Sequence, residues 1–325
     1  MKTRRTVLTA LASLTALGVL TACGSGDAAT ETVGTEGKKT GNGINLSPDQ
    51  NRVHTPKVDA LAAKLPEAVR KRGTLVLGVS ATANPPLAFH ATDDKTLIGV
   101  EVDLATLVAD ALGLKPEFNP VSWENLFVGL DSGKYDAVFS NVTVTEERKD
   151  KYDFATYRLD DLAFEAKKGS GWTVKGPEDV AGKAIAVGSG TNQEKILVDW
   201  SAQNEKAGRK PVDIKYYQNT SDYYLALQSG RIDGYLGPNP VAAYHVLSAG
   251  QTEIVGKFSG AGAGLQGKIA ATTKKDSGLV AAYAAAIDHI VENGTYAQVL
   301  KRWGLDSESV TKSEINPPGL PRTKN

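Results

Sequence analysis

The chain has 325 residues, of which 41% are hydrophobic and 23% charged, and its 37 basic and 37 acidic residues give a formal charge of +0. This composition excludes a disordered chain and a polycation that binds nucleic acid, and the length suffices for two domains. One Cys excludes a disulfide within a monomer, and one Cys with four His argues against a structural zinc site. We therefore expect a monomer with no metal, no cofactor and no nucleic-acid partner.

The N-terminus is typical of an exported protein. Lys2, Arg4 and Arg5 precede an apolar segment that ends at Leu20 and is too short to span a bilayer comfortably. Residues 20–24, LTACG, resemble the lipobox of bacterial lipoproteins, in which cleavage leaves the Cys to carry diacylglycerol. We expect a signal peptide at residues 1–22, a palmitate-bearing lipid on Cys23, and attachment to the cell membrane on its extracytoplasmic face.

Residues 23–57 follow this motif and contain few large apolar side chains. Such a segment cannot bury enough surface to fold. We interpret it as a flexible tether with an end-to-end distance of about 30 Å.

The rest of the chain alternates β-branched runs with amphipathic segments. Strands are predicted at residues 74–79, 117–120, 137–139, 183–187, 213–217, 232–236 and 268–272, and helices at 102–112, 123–130, 192–204, 221–229 and within 279–303. This alternation predicts two α/β domains with mainly parallel sheets. The glycine-dense residues 256–267 fit either a hinge or an ordinary surface loop.

Eight short motifs occur in one order along the chain. They are NPPLAF at 84–89, GVEVDL at 99–104, SGKYDA at 132–137, TVTEER at 143–148, GKAIAVGSGT at 182–191, SGRIDG at 229–234, NGTY at 293–296 and KRWG at 301–304. Over about residues 70–305 this series resembles the family 3 extracellular solute-binding proteins, the amino-acid-type receptors of ABC importers.

The resemblance implies a periplasmic-binding-protein type II fold, in which two α/β domains are joined by a two-strand hinge and close over a small solute. It implies a discontinuous first domain of residues 58–160 plus 267–325 and a second domain of residues 161–266. The two crossing strands are expected near residues 159–163 and 265–268.

The resemblance also implies which residues bind the solute. A buried carboxylate needs compensating donors, and a bidentate guanidinium is the strongest of these. Arg148 matches the family position that clamps the carboxylate, with Thr143 beside it, while Trp123 matches an aromatic shelf. The remaining expected contacts are Ser140 and Asn141 after a strand, and Thr191 and Asn192 at a helix start that favours anions.

Each of these residues has a plainer interpretation. Arg148 alone fits an ion pair with Glu146 or Asp150, and Trp123 alone fits a core position. Residues 188–190 also fit a dinucleotide-binding loop, but Gln193 stands where its third glycine is needed.

Two positions depart from the family pattern. Pro238 stands where an aspartate usually pairs with the ligand ammonium, next to Asn239, and Asn84 replaces the usual aromatic residue after the first strand. Either another acid, Glu194 or Asp103, pairs with the ammonium, or the ligand is not an ordinary α-amino acid.

The expected function is therefore a lipid-anchored receptor that passes a small carboxylate-bearing solute to an ABC permease, without catalysis. One alternative is a cyclohexadienyl or arogenate-type dehydratase on the same scaffold, with an acid from Glu101, Asp103, Glu124 or Glu194 in the cleft. Another is a sensor that takes no part in transport. The sequence contains no G-x-S-x-G or H-E-x-x-H motif of a hydrolase.

Overall fold

The computed structural model describes residues 43–82 and 85–322. The predicted signal peptide, residues 23–42 of the predicted tether with Cys23, and Asn84 lie outside these residues. The tether prediction is wrong for residues 43–57, because Ile44, Gln50 and Thr55 are buried against the folded protein. Within the described ranges, no helix is both long and apolar enough to cross a membrane.

The described residues form a mixed α/β structure, as the alternating pattern predicts. The helices are α1 (Asp59–Ala62), α2 (Glu67–Arg72), α3 (Val100–Leu112), α4 (Trp123–Asp131), α5 (Asn192–Lys206), α6 (Thr220–Gln228), α7 (Asn239–Ala249), α8 (Val280–Glu292) and α9 (Thr295–Trp303), with 3-10 turns at Arg148–Asp150, Pro177–Val180 and Asp306–Glu308. The strands are β1 (Thr74–Ser80), β2 (Phe89–His90), β3 (Leu97–Ile98), β4 (Lys115–Val121), β5 (Ala137–Val138), β6 (Tyr152–Lys167), β7 (Ala184–Val187), β8 (Asp213–Tyr216), β9 (Gly234–Pro238), β10 (Thr252–Ser259) and β11 (Gly267–Lys274).

The strands other than β2 and β3 are linked in the order β4-β1-β5-β11-β6-β9-β7-β8, and β10 also pairs with β6. β1 is parallel to β4 and β5, and β7 is parallel to β8 and β9. The long strand β6 pairs antiparallel with β11 over residues 152–160 and with β9 and β10 over residues 161–167. Strand β6 thus runs from one parallel region into the other, as a strand that crosses between two domains is expected to do.

Each parallel region has its own hydrophobic core. The larger core packs α3, α8 and α9 against β1, with Trp303 and Tyr283 among its fully buried side chains. In the second core, the ring of Phe164 on β6 stacks on Trp200 of α5 at a centroid distance of 5.7 Å. Separate cores favour the two predicted domains, whose exact boundaries stay a prediction.

Helix α3 is held against the loop that follows β1. Gly99 precedes it at φ +127°, and an ideal Cβ there would lie 2.1 Å from the Leu87 carbonyl oxygen, so a side chain would collide with backbone. The backbone N–H of Glu101 donates to the same carbonyl at 3.1 Å. This contact fixes the first turn of α3, and with it the Glu101 side chain, inside the protein.

Several elements differ from the sequence-based expectation, and two of them are α7 and β10. The pattern predicted no helix after Pro238, yet α7 begins at Asn239. Pro240 does not interrupt this helix, because it lies in the first turn, where a helix tolerates proline. The glycine-dense region is a turn only after Ser259, since Gly256 lies within β10 and pairs with Phe164 of β6.

Candidate functional site

A cavity of about 120 Å³ lies where strand ends and helix starts from both parallel regions meet. Such a volume suits a small molecule. Its lining combines hydroxyl and amide groups with aromatic rings: Ser80, Thr82, Leu87, Ala88, Glu101, Trp123, Ser140, Asn141, Gly188, Ser189, Thr191, Asn192, Gln193, Tyr217, Gln218, Thr220, Tyr223, Tyr235, Leu236, Pro238 and Val241.

One wall contains three of the predicted site residues. Ser140 and Asn141 follow the short strand β5 after Phe139, and Trp123 is the first residue of α4. Ser140 Oγ accepts a hydrogen bond of 2.8 Å from the backbone N–H of Ser80, which joins the ends of β5 and β1. Asn141 has φ +52°, a left-handed conformation that asparagine tolerates better than most residues. The strand ends thus present polar side chains to the cavity.

The opposite wall is the loop between β7 and α5, which carries Thr191 and Asn192. Thr191 caps α5, since its Oγ1 accepts from the Glu194 N–H at 3.1 Å and donates to the Gly188 carbonyl at 2.7 Å. Asn192 begins the helix beside it. The helix start that the sequence predicted as anion-binding therefore does face the cavity.

Asp160, on β6, lies between Thr143 and Asn192. Its Oδ2 accepts from Thr143 Oγ1 at 2.7 Å and from Asn192 Nδ2 at 3.1 Å, and the carboxylate is buried. Burial raises the pKa of Asp160 to about 6, although the hydrogen bond from Thr143 acts in the opposite direction. An internal carboxylate thus binds the Thr143 hydroxyl that the sequence analysis assigned to the ligand, together with the side-chain amide of Asn192, whose backbone N–H was the expected ligand donor.

Arg148 lies behind this wall and is not among the described lining residues. Its Nη1 donates to the Thr143 carbonyl at 2.9 Å and its Nη2 to the Gly190 carbonyl at 3.1 Å. The guanidinium carbon is 5.4 Å from the ring centroid of Trp123 and 5.3 Å from that of Phe127. Desolvation of this half-buried group lowers the pKa of Arg148 to about 10. The carboxylate clamp at Arg148 stays a prediction.

Glu146 and Asp150, the alternative partners of Arg148, form other ion pairs. Glu146 pairs with Lys149 at 2.7 Å and Asp150 with Arg322 at 2.6 Å. The plainer interpretation of Arg148 as the partner of one of these acids thus receives no support from their contacts.

Three other residues named from the sequence lie away from the cavity. Asn239 Nδ2 donates to Glu308 Oε1 at 3.4 Å, and Asn239 is not a described lining residue although the preceding Pro238 is. Asp103 accepts a 2.8 Å hydrogen bond from Trp303 Nε1 in the larger core, and Glu194 Oε2 accepts a 2.6 Å bond from the Gly190 N–H. Asp103 and Glu194, the two acids considered for the ligand ammonium, are not among the described residues that line the cavity.

The sequence analysis missed the tyrosines of the cavity. Tyr217 follows β8, Tyr223 lies on α6, and Tyr235 lies on β9, where its ring stacks on Tyr223 at a centroid distance of 3.7 Å. Tyr217 follows a strand that is parallel to β7, and ligands of α/β sheets bind at the carboxyl ends of such strands. That position could have been predicted, whereas the contact of Tyr223 with Tyr235 depends on packing between distant elements.

Glu101 is the acid that the cavity wall does contain. Its Oε1 accepts from Arg158 Nη2 at 2.9 Å, and its Oε2 accepts from the Tyr157 hydroxyl. Arg158 also contacts the Glu308 carboxylate and Asn141 Oδ1, and Glu101, Arg158 and Glu308 are all buried. Burial opposes the positive charge, but Glu308 and Glu101 outweigh it and raise the pKa of Arg158 above its usual range. The network therefore keeps Arg158 charged beneath the cavity.

Among the described residues, no group of three or more His, Cys, Asp and Glu side chains could hold a metal ion. The cavity has polar and aromatic groups on two facing walls, as binding sites for organic solutes do.

Residues 75–306 match the family described as bacterial extracellular solute-binding proteins, family 3. The chain belongs to this family. It is 34% identical over 236 residues to the L-cystine-binding protein TcyJ of Escherichia coli (strain K12), across 72% of this chain and 84% of that relative. It is 30% identical over 263 residues to the arginine-binding protein ArgT of Corynebacterium glutamicum, across 80% of this chain and 83% of that relative.

The fold of this family 3 protein also matches solved structures. An ancestral arginine-binding protein bound to arginine aligns with a TM-score of 0.62 and 32% identity, covering 71% of this chain and 98% of that chain. These matches confirm the predicted family and the type II periplasmic-binding-protein fold.

Proposed function

We propose that this protein is a lipid-anchored receptor that captures an amino-acid-like solute by closure of its cleft and delivers it to an ABC permease. The observation that carries the proposal is the cavity itself, in which Ser140, Asn141 and Trp123 face Thr191 and Asn192. The relatives named for binding cystine and arginine support an amino acid as the solute.

Closure is supported by contacts between the two walls. Trp123 Nε1 and Arg148 Nη2 both approach the Gly190 carbonyl, at 3.4 Å and 3.1 Å. The proposed domains, residues 58–160 plus 267–325 and residues 161–266, would move about β6 and β11. Because Arg148 and Gly190 belong to different proposed domains, separation of the domains would break both contacts.

Binding without catalysis is supported by the environment of Glu101. Both of its carboxylate oxygens accept hydrogen bonds from protein donors, Arg158 Nη2 and the Tyr157 hydroxyl, whereas a general acid of a dehydratase must offer a proton to the substrate. The proposal is therefore a receptor, and the dehydratase and the non-transporting sensor are outcomes that the experiment distinguishes.

Calorimetric titration of the full chain with the twenty amino acids and L-cystine tests the binding function. We expect one of them to bind with micromolar or tighter affinity, about −8 kcal/mol or better, and to be recovered unchanged. Absence of binding across this panel would contradict the proposal, and conversion of prephenate or arogenate would support the dehydratase. Loss of cellular uptake of the bound amino acid on gene deletion, restored by the wild-type gene, would separate a transport receptor from a sensor.

Membrane anchoring is tested separately at Cys23. Cells that express the full chain and receive labelled palmitate are expected to label it and to retain it in the membrane fraction. The Cys23→Ser variant should lose the label while its purified form keeps the wild-type affinity for the bound amino acid. Equal labelling of the two chains would contradict the proposed anchor.

A further inference from the structure

The ionisable groups of the cavity carry one sign of charge. Of the described residues that line it, Glu101 has the one carboxylate, and none is Lys, Arg or His. The other lining groups are hydroxyls, amides, backbone and apolar or aromatic side chains. Glu101 is therefore the one charged side chain among the described lining residues, and it is buried in the cavity wall with no exposed surface. Arg148 is not among these lining residues.

Arg158 compensates only one of the two buried carboxylates that it contacts. It is paired with both Glu101 and Glu308, and burial raises the pKa of Glu308 to about 7, so the three side chains carry a net charge of −1 only above that pH. An ionised carboxylate has about four lone-pair sites, and the contacts with Arg158 and Tyr157 use one on each oxygen. Glu101 can thus accept further hydrogen bonds from a solute.

The aromatic lining favours the same kind of group. Trp123 lies on one wall, and Tyr217, Tyr223 and Tyr235 lie on the other side of the cavity. Aromatic faces attract cations, and this attraction grows when the cation is removed from water. An anion beside Glu101 would meet a like charge at low exposure to solvent, which is strongly unfavourable.

We infer that Glu101 is the residue that receives the positively charged group of the solute, an ammonium or a guanidinium. This inference rests on the proposed binding function, and it assigns to Glu101 the pairing that Pro238 cannot provide. Tyr157 and Arg158 act as positioning residues, because they donate hydrogen bonds to the two oxygens of the Glu101 carboxylate.

Calorimetric titration of the wild-type full chain with four probes tests the inference without any substitution. L-Arginine and L-cystine carry ammonium groups and carboxylates, agmatine carries cations alone, and glutarate carries carboxylates alone. We expect binding of at least one of the three cationic-group probes and none of glutarate. Preference for glutarate over the other three, or binding of none of the four, would overturn the inference.

Two matched substitutions then separate contact with the solute from support of the fold. Glu101→Gln removes the charge in the cavity wall, and Glu308→Gln removes a charge from the same network outside the described lining. We expect Glu101→Gln to lower the affinity for the bound probe at least 30-fold and Glu308→Gln to lower it less than 5-fold. Glu101→Asp keeps the charge and should retain more affinity than Glu101→Gln. Thermal melting checks that each variant is folded.

The outcomes distinguish the inference from the proposed function. If L-arginine or L-cystine binds and the two Gln variants weaken it equally, the role of Glu101 is wrong and the receptor function stands. If agmatine binds in a Glu101-dependent manner and no amino acid binds, the role of Glu101 stands and the amino-acid receptor is wrong. If the Glu101 variants do not fold, the wild-type titrations test the inference alone. Binding of agmatine without glutarate would then support it, and preference for glutarate would overturn it.

Discussion

Asn192 Nδ2 donates a hydrogen bond of 3.1 Å to the carboxylate of Asp160, and so joins the start of α5 to the long strand β6. The same carboxylate oxygen accepts from Thr143, which lies after β5. The two donors belong to different proposed domains, and Asp160 lies on the strand that connects them. Asp160 therefore links both sides of the cleft at its base, and its charge state affects that link.

The pH dependence of stability should reveal Asp160. Its pKa in the folded protein is about 6, above the ordinary 3.8, so the folded state binds this proton more tightly than the unfolded state does. Its contribution to the free energy of unfolding is therefore greatest below pH 4 and is lost as the pH rises to about 6. The free energy of unfolding of Asp160→Asn, relative to that of the wild type, should therefore rise by about 3 kcal/mol between pH 4 and pH 7.

Urea unfolding of both chains across this pH range measures the difference directly. Because all other groups titrate in both chains, the difference isolates Asp160. A difference that is independent of pH, or that moves against the variant as the pH rises, would contradict the raised pKa.

Gly260 should be intolerant of any side chain. An ideal Cβ at this position would lie 1.7 Å from Asp160 Oδ2, so Gly260→Ala forces the carboxylate away from its donors. We expect a loss of roughly 2 to 4 kcal/mol in the free energy of unfolding. Gly264→Ala, in the same turn, is the control, since no atom lies within 4 Å and an alanine at its φ of +83° costs roughly 1 to 2 kcal/mol. Equal losses in the two variants would refute the close packing at Gly260.

Arg148 should matter for solutes that have a carboxylate and not for those that lack one. Arg148→Lys keeps the positive charge but loses the planar fork that binds a carboxylate with two hydrogen bonds. We expect the affinity for the bound amino acid to fall about 100-fold, corresponding to about 2.7 kcal/mol. The affinity for its decarboxylated analogue should change less than threefold. Equal losses for both solutes, measured by calorimetry, would show that Arg148 acts through cleft closure alone.

Trp123 should contribute to binding more than to stability. It is only partly buried, and its ring contacts Phe127 edge-on at a centroid distance of 5.3 Å. Trp123→Ala should lower the affinity for the bound amino acid about 10-fold or more and lower the melting temperature by only a few degrees. Trp123→Phe keeps an aromatic face and should recover most of the affinity. A large fall in melting temperature with unchanged affinity would indicate a core role instead.

Much of the architecture could be predicted because it depends on local patterns. The apolar spacing from Val102 to Leu112 before Gly113 identified α3, and the capping Thr191 marks the start of α5. Helix α7 was missed because Pro238 and Pro240 indicate a break, while the structure places Pro240 in the tolerant first turn. Local rules therefore find a helix interior more readily than an unusual helix start.

The site was only partly predictable for a similar reason. Ser140, Asn141 and Trp123 were inferred from motif positions, and the structure brings them to one wall of the cavity. The role of Asp160 had no sequence pattern, since its donors Thr143 and Asn192 are 17 positions before it and 32 positions after it. Glu101 was considered only as a possible general acid, because its pairing with Arg158 requires the tertiary structure.

The most direct test is a crystal structure of the full chain with the amino acid that binds most tightly in the titration panel. The account predicts this amino acid inside the cavity, with its side chain or carbon skeleton against Trp123 and an ammonium or guanidinium within 3.2 Å of a Glu101 oxygen. An amino acid bound outside the cavity, or one whose carboxylate lies against Glu101, would contradict it.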